Sequence, residues 1–85
     1  MSIQQTSLEA YINIAKELGQ RQLQVYRILC KIQPATNCML SQACMLPINQ
    51  VTPRIHELRQ MGLVTEEKKA NCKITGRTAI YWRVK

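Results

Sequence analysis

Eighty-five residues, 46% of them hydrophobic, suffice for one compact domain and argue against a disordered tail. Twelve Lys and Arg face five acids, all of them Glu, giving a formal net charge of +7 and an isoelectric point near 9.6. No apolar run approaches the roughly 20 residues that span a bilayer, and MSIQQTSLEA lacks the basic start and apolar run of a secretory signal, so a cytoplasmic protein without a membrane partner is expected.

The charge is uneven. Before residue 48, four bases stand against two acids; after it, eight stand against three. A basic C-terminal half attracts polyanions by Coulomb steering and counterion release. The four cysteines, Cys30, Cys38, Cys44 and Cys72, form no C-x-x-C pair, and His56 is the single histidine. Zinc sites show close ligand pairs, and disulfide scaffolds accompany secretion. The four are therefore read as small, mostly buried thiols in a reducing compartment, with no metal or cofactor expected.

In chain order, Leu8, Tyr11, Ile12, Ala15 and Leu18 recur at helical spacing and predict a helix over 7–18. Thr6 and Glu9 fit a capping box, and Gly19 suits a left-handed helix exit. A second helix over 20–33 presents Leu18, Val25, Leu29 and Ile32, widened by Leu23, Tyr26 and Cys30, and Pro34 stops it. A short third helix has Thr36 as N-cap and Leu40, Ala43 and Cys44 inside, with Pro47 marking the break. The fourth covers 49–61, with Val51, Ile55 and Leu58 inward, Ile48 and Met61 extending the stripe, and Gly62 ending it. Proline is tolerated in a first turn, so this helix starts near Asn49, or Thr52 caps a start at Pro53. From Leu63 the period changes to that of strands. LVTEE and the alternating IYWRVK make a β-hairpin around KKANCKITGR, with Ile80, Trp82 and Val84 on its buried side. A hairpin of this size must pack on the helices.

The whole, residues 1–85, is a single domain, mainly α with a small β-hairpin. A short helix joined by a tight turn to a longer one leaves a face of the second free to enter a major groove. The outward positions of the fourth helix include Asn49, Gln50, Thr52, Arg54, His56, Glu57, Arg59 and Gln60. Asn and Gln pair with adenine and Arg with guanine, although an ordinary solvated helix face carries such residues too. Lys68, Lys69, Lys73 and Arg77 place four bases without an acid in the loop region 68–77, suited to phosphate contact or to guarding a hairpin edge. Glu66 and Glu67 would repel phosphate and are placed away from DNA.

LPINQVTPRIHELRQMGLV resembles the recognition helix and first wing strand of winged helix-turn-helix regulators, the broad group that includes MarR-like repressors. TNCMLSQACMLP resembles the preceding helix and turn, and TGRTAIYWRVK is similar to the end of small phage and prophage winged-helix proteins. The resemblance covers about residues 20–85, with the helix at 7–18 as an extension. It implies a transcriptional regulator of double-stranded DNA. Asn49, Gln50, Thr52 and Arg54 would read bases; Lys68, Lys69, Lys73 and Arg77 would meet the backbone; Thr36 and Asn37 would touch phosphate. Pro53 departs from the group, which often carries a basic or polar residue there. Such proteins commonly bind two-fold sites as dimers; the helix at 7–18 is the candidate contact if Tyr11 and Ile14 lie outside its core stripe, the alternative being that it only caps the domain.

Three further classes are weighed. An enzyme is not expected: His56 has only the adjacent Glu57 as neighbour, and no paired carboxylates, phosphate loop or metal set appears. A protein-binding winged helix, such as a phage inhibitor of a host nucleic-acid-binding protein, accounts for the basic surface equally well. A redox sensor would need a reactive thiol, for which Cys72, expected to be exposed in the wing, is the candidate.

Overall fold

Where apolar residues recur every three or four positions the chain is helical, and where they alternate it is extended. The structure, a computed structural model, describes residues 3–85, with side chains from Glu9 onward. Four helices, α1 Ile3–Glu17, α2 Gln20–Ile32, α3 Asn37–Cys44 and α4 Ile48–Gln60, precede the antiparallel hairpin of β1 Val64–Asn71 and β2 Thr78–Val84.

Helix α1 begins upstream of Thr6, so Thr6 sits inside the helix and does not cap it. The side chains of Thr6 and Leu8 lie outside the described residues. Tyr11, Ile14 and Leu18 pack half-buried against the core, while Ile12 is turned out. Tyr11 and Ile14 therefore do not lie outside the core-facing stripe as expected. The cause at Tyr11 is its stacking on Tyr26 of α2, with centroids 6.1 Å apart. Gly19 is not a left-handed exit. It is the extended N-cap of α2 (φ −67°, ψ 165°), and its N–H donates to Gln22 Oε1 at 2.9 Å.

Val25, Tyr26 and Leu29 of α2 are buried, and Ile32, at the helix end, is exposed. Thr36 caps α3 as predicted, its hydroxyl accepting from the Met39 N–H at 3.2 Å. Leu40 and Cys44 face inward, but Ala43 is exposed, because it falls on the flank of α3 that borders an open groove with Ile32 and Ile74. Met45 closes the turn in the left-handed conformation (φ 57°, ψ 40°) and is 90% exposed. The Leu46 N–H donates to the Ser41 carbonyl at 3.1 Å, completing the reversal into α4.

Helix α4 starts one residue before Asn49, with Pro47 at its N-cap. Thr52 caps nothing, and Pro53 stands at the sixth helical position rather than in the first turn. Val51, Ile55 and Leu58 are buried; Ile48 and Met61 are exposed and do not extend the stripe. Strand β1 takes in Lys68, Lys69, Ala70 and Asn71, which were expected in the loop, and leaves a tight connection at 72–77. The register shifts between Glu66 and Lys68, a bulge at Glu67. Ala35 exchanges two backbone hydrogen bonds with Trp82, at 3.0 and 2.8 Å, so β2 lies between Ala35 and the edge strand β1. The alternation expected along β2 fails at Tyr81, which is buried. Its hydroxyl donates to the Asn71 carbonyl at 2.7 Å, and the Lys68 ammonium covers its ring at 5.2 Å from the centroid.

One apolar cluster joins Val25, Leu29, Leu40, Val51, Ile55, Leu58, Val64 and Trp82. With α3, its turn and α4 as the helix-turn-helix and the hairpin as the wing, the architecture is a winged helix-turn-helix with an added N-terminal helix. Leu29 is fully enclosed within that cluster. Leu29→Ala should lower the unfolding free energy by about 2–5 kcal/mol in urea titration; a loss below about 1 kcal/mol would place the core elsewhere.

Candidate nucleic-acid interface

The buried triplet Val51, Ile55 and Leu58 sets the rotation of α4, and at 3.6 residues per turn the opposite side carries Asn49, Pro53, His56 and Gln60, all exposed. Gln50 and Thr52 are exposed beside this stripe. Thr52 lies on the flank toward α3, where its hydroxyl accepts from Asn37 Nδ2 at 3.4 Å. Asn37 Oδ1 is buried without a hydrogen-bond partner, which leaves that amide incompletely satisfied in the free protein. Arg59 lies on the same flank, its guanidinium 5.4 Å from the centroid of the Trp82 ring.

The other flank corrects an expectation. Arg54 is not a free guanidinium. Its Nε lies 2.8 Å from Glu57 Oε1 and its Nη2 donates to Oε2 at 2.9 Å, while Gln22 Nε2 of α2 donates to Oε1 at 2.9 Å. The hydrogen bonds from Gln22 and from Arg54 hold the Glu57 carboxyl below its ordinary range. Glu57, expected to point outward beside His56, instead ties α4 to α2. The i,i+3 spacing of Arg54 and Glu57 was a signal for this pair; Gln22, 35 positions away in sequence from Glu57, had none.

Thr36 is likewise engaged within the domain. It is 1% exposed, its hydroxyl caps α3, and it shares a 3.0 Å hydrogen bond with Cys72 Sγ. Asn37, the next residue, borders a crevice with Cys38, Ala79, Ile80 and Trp82, where α3 meets the hairpin. The wing bases are divided by the pleat. Lys69 stands opposite Ile80, which packs against the core, whereas Lys68 stands opposite Tyr81 on the other face. Lys73 and Arg77 are exposed in the connection. Glu67 lies at the bulge, 3.8 Å from Arg83. The structure thus brings Asn37, Thr52 and the Asn49 stripe together, with Lys69 on the adjoining sheet face. Arg54 is held by Glu57 on the α2 flank, Thr36 is buried beside Asn37, and Lys68 lies on the other sheet face.

All four cysteines are free thiols. Burial pushes Cys30 and Cys44 up. Cys72 is not exposed in the wing as expected; it is 2% exposed, because the connection folds over it against Thr36. Its thiol is nonetheless held down to about 7 by the Thr36 hydroxyl and by donors of Ile74 and Thr75, against the opposing effect of burial. The Thr36 oxygen accepts from the Met39 N–H, and its hydroxyl proton can be donated to sulfur when Cys72 is ionised. No group of three or more His, Cys, Asp or Glu among the described residues can hold a metal ion, and no described helix is long and apolar enough to cross a membrane.

The sequence matches no protein-family model and no curated protein. The fold matches a solved structure from Methanosarcina mazei Go1 described as a possible transcriptional regulator, at a TM-score of 0.65 and 17% identity over 92% of this chain. The chain spans 65% of that protein's length, and at this identity the likeness is one of fold.

Because the folded-state pKa of Cys72 lies below its ordinary value of 9.0, the thiolate contributes stability that is complete above 9 and fades as pH falls toward 7. Denaturation midpoints should therefore rise from pH 7 to 9, and Cys72→Ser should remove the rise. In thiolate ultraviolet titration, Thr36→Val should move the Cys72 transition upward. An unchanged transition would mean that the Thr36 hydroxyl does not set it.

Proposed function

We propose that this protein is a sequence-specific, double-stranded DNA-binding transcriptional regulator, with α4 in the major groove and the wing along the phosphate backbone. The observation that carries this reading is the uncovered polar stripe of α4: Val51, Ile55 and Leu58 are engaged by the core, and on the opposite side Asn49, His56 and Gln60 stand free beside a basic hairpin. The likeness in fold to a possible transcriptional regulator agrees with it. Asn49, Gln50 and Thr52 are the base-reading residues proposed, with Arg54 joining them only when it leaves Glu57. Asn37, Lys69, Lys73 and Arg77 are the backbone contacts.

The winged-helix core at 20–85 would form the DNA-binding domain, with α1 as its extension. Two copies on a two-fold site would supply the specificity that one small module lacks. Of the described large apolar residues of α1, Ile12 is the one turned out for such a contact. The resemblance to small phage and prophage regulators belongs with this reading. A protein-binding role is favoured by one observation, the exposure of Met45 and Ile48 at the head of α4.

Selection from random duplexes at a stated salt should return a preferred, two-fold sequence. Asn49→Ala should weaken that site by about 1–3 kcal/mol while leaving random DNA nearly unaffected. Equal loss on both would remove Asn49 from base reading. Lys69→Ala should weaken all duplexes and reduce the log–log salt slope by about 1. Lys68→Ala, whose ammonium covers Tyr81 on the opposite face, should change the slope less. A protein that ignores DNA in dilute buffer yet retains a host protein through Met45 and Ile48 would favour the other reading.

A further inference from the structure

Pro53 is the one residue of the α4 outward stripe that cannot hydrogen-bond through its side chain. In a regular helix the amide of residue 53 would occupy the carbonyl of residue 49. Proline has no N–H, and its ring crowds that carbonyl away from the helix axis. Pro53 stands at the sixth position of α4, and Asn49 and Pro53 are both exposed on the same face. The Asn49 carbonyl therefore lacks its usual helical donor, next to an exposed apolar ring. Neither arginine of α4 shares this spot. Arg54 is engaged by Glu57, and Arg59 lies against Trp82 on the far flank.

We propose that Pro53 makes this point of α4 a reader of an A·T pair: the freed Asn49 carbonyl accepts from the adenine 6-amino group while the proline ring packs on the thymine 5-methyl group. This rests on the reading that α4 enters the major groove. An A·T pair shows a donor and a methyl there side by side. A guanine edge shows only acceptors, which a carbonyl repels. A cytosine edge offers a donor but no methyl. Among the four bases, the combination of one acceptor and one apolar surface, without a cation, fits A·T best.

The test uses the duplex chosen by selection from random DNA. Each thymine is replaced singly by uracil, which deletes the methyl, and each adenine by purine, which deletes the 6-amino group. At one A·T pair both replacements should weaken the wild-type protein by about 3- to 10-fold. Pro53→Ala restores the amide and removes the ring, and should bind the natural and substituted duplexes alike at that pair. Alanine favours an exposed helix over proline, so this variant folds, as cooperative melting will verify. Asn49→Ala, which keeps the backbone carbonyl, should retain sensitivity to both replacements. A selected site where no A·T pair responds to both changes, or a Pro53→Ala protein as sensitive as wild type, overturns the role of Pro53 alone. A selection that returns no preferred sequence overturns base reading by α4 itself, and the role of Pro53 with it.

Discussion

The seating of Val51, Ile55 and Leu58 against Leu29 and Leu40 fixes the angle at which α4 sits about its own axis. Each such side chain gains about 1.5–3 kcal/mol by leaving water. Turning the helix by one residue would expose them together and bury polar neighbours, at a cost of several kcal/mol. Every assignment of a residue to the outward stripe, to the α2 flank or to the α3 flank follows from that seating. The hairpin is placed by the same core, through Val64 and Trp82, and by the backbone pairing of Trp82 with Ala35.

Within that frame, many of the positive charges are already committed. Arg54 is bound to Glu57, Arg59 and Lys68 lie over aromatic rings, and Arg83 lies within reach of Glu67. These contacts divide a formal charge of +7 into fixed and unfixed parts. Lys69, Lys73 and Arg77 on the hairpin stand outside these contacts, as do Lys16, Arg27 and Lys31 on the first two helices. A guanidinium over an indole ring keeps its charge and its outward N–H groups, whereas one held by a carboxylate must exchange partners before meeting a phosphate. The two arginines of α4 are thus unlike in readiness, though each is a single basic residue in the sequence.

The fold was legible because helical and strand periods are local properties. Val25 with Leu29, Val51 with Ile55 and Leu58, and the cap at Thr36 all declare themselves within a few residues. What stayed hidden depends on distant partners. Nothing near Tyr11 indicates that Tyr26 will stack on it, so the side chains that α1 turns to the core are only partly legible. Nothing near Cys72 reveals Thr36, so a buried thiol was read as exposed. In the wing, lysines and an asparagine read as polar connection, while their pairing with Thr78, Ala79, Ile80 and Tyr81 makes them strand. In the site, the exposure of Asn49 in the stripe and of Thr52 beside it follows from periodicity alone. The engagement of Thr36 by Cys72, and of Arg54 by the Glu57 that Gln22 also holds, depends on atoms that a one-dimensional pattern does not bring together.

The corner between α1 and α2 carries a consequence for how this chain tolerates change. Gly19 occupies it in an ordinary extended conformation, and a β-carbon there would meet nothing nearer than Gln22 Oε1 at 3.6 Å. Glycine is thus a convenience at this corner rather than a requirement. Gly62, at φ +80°, holds the opposite status, since any other residue there is strained. The joint that hangs the N-terminal helix on the winged core is therefore open to sequence drift, and the joint between α4 and the wing is closed to it. A side chain added at the first corner meets no steric objection, whereas at the second the backbone itself resists one.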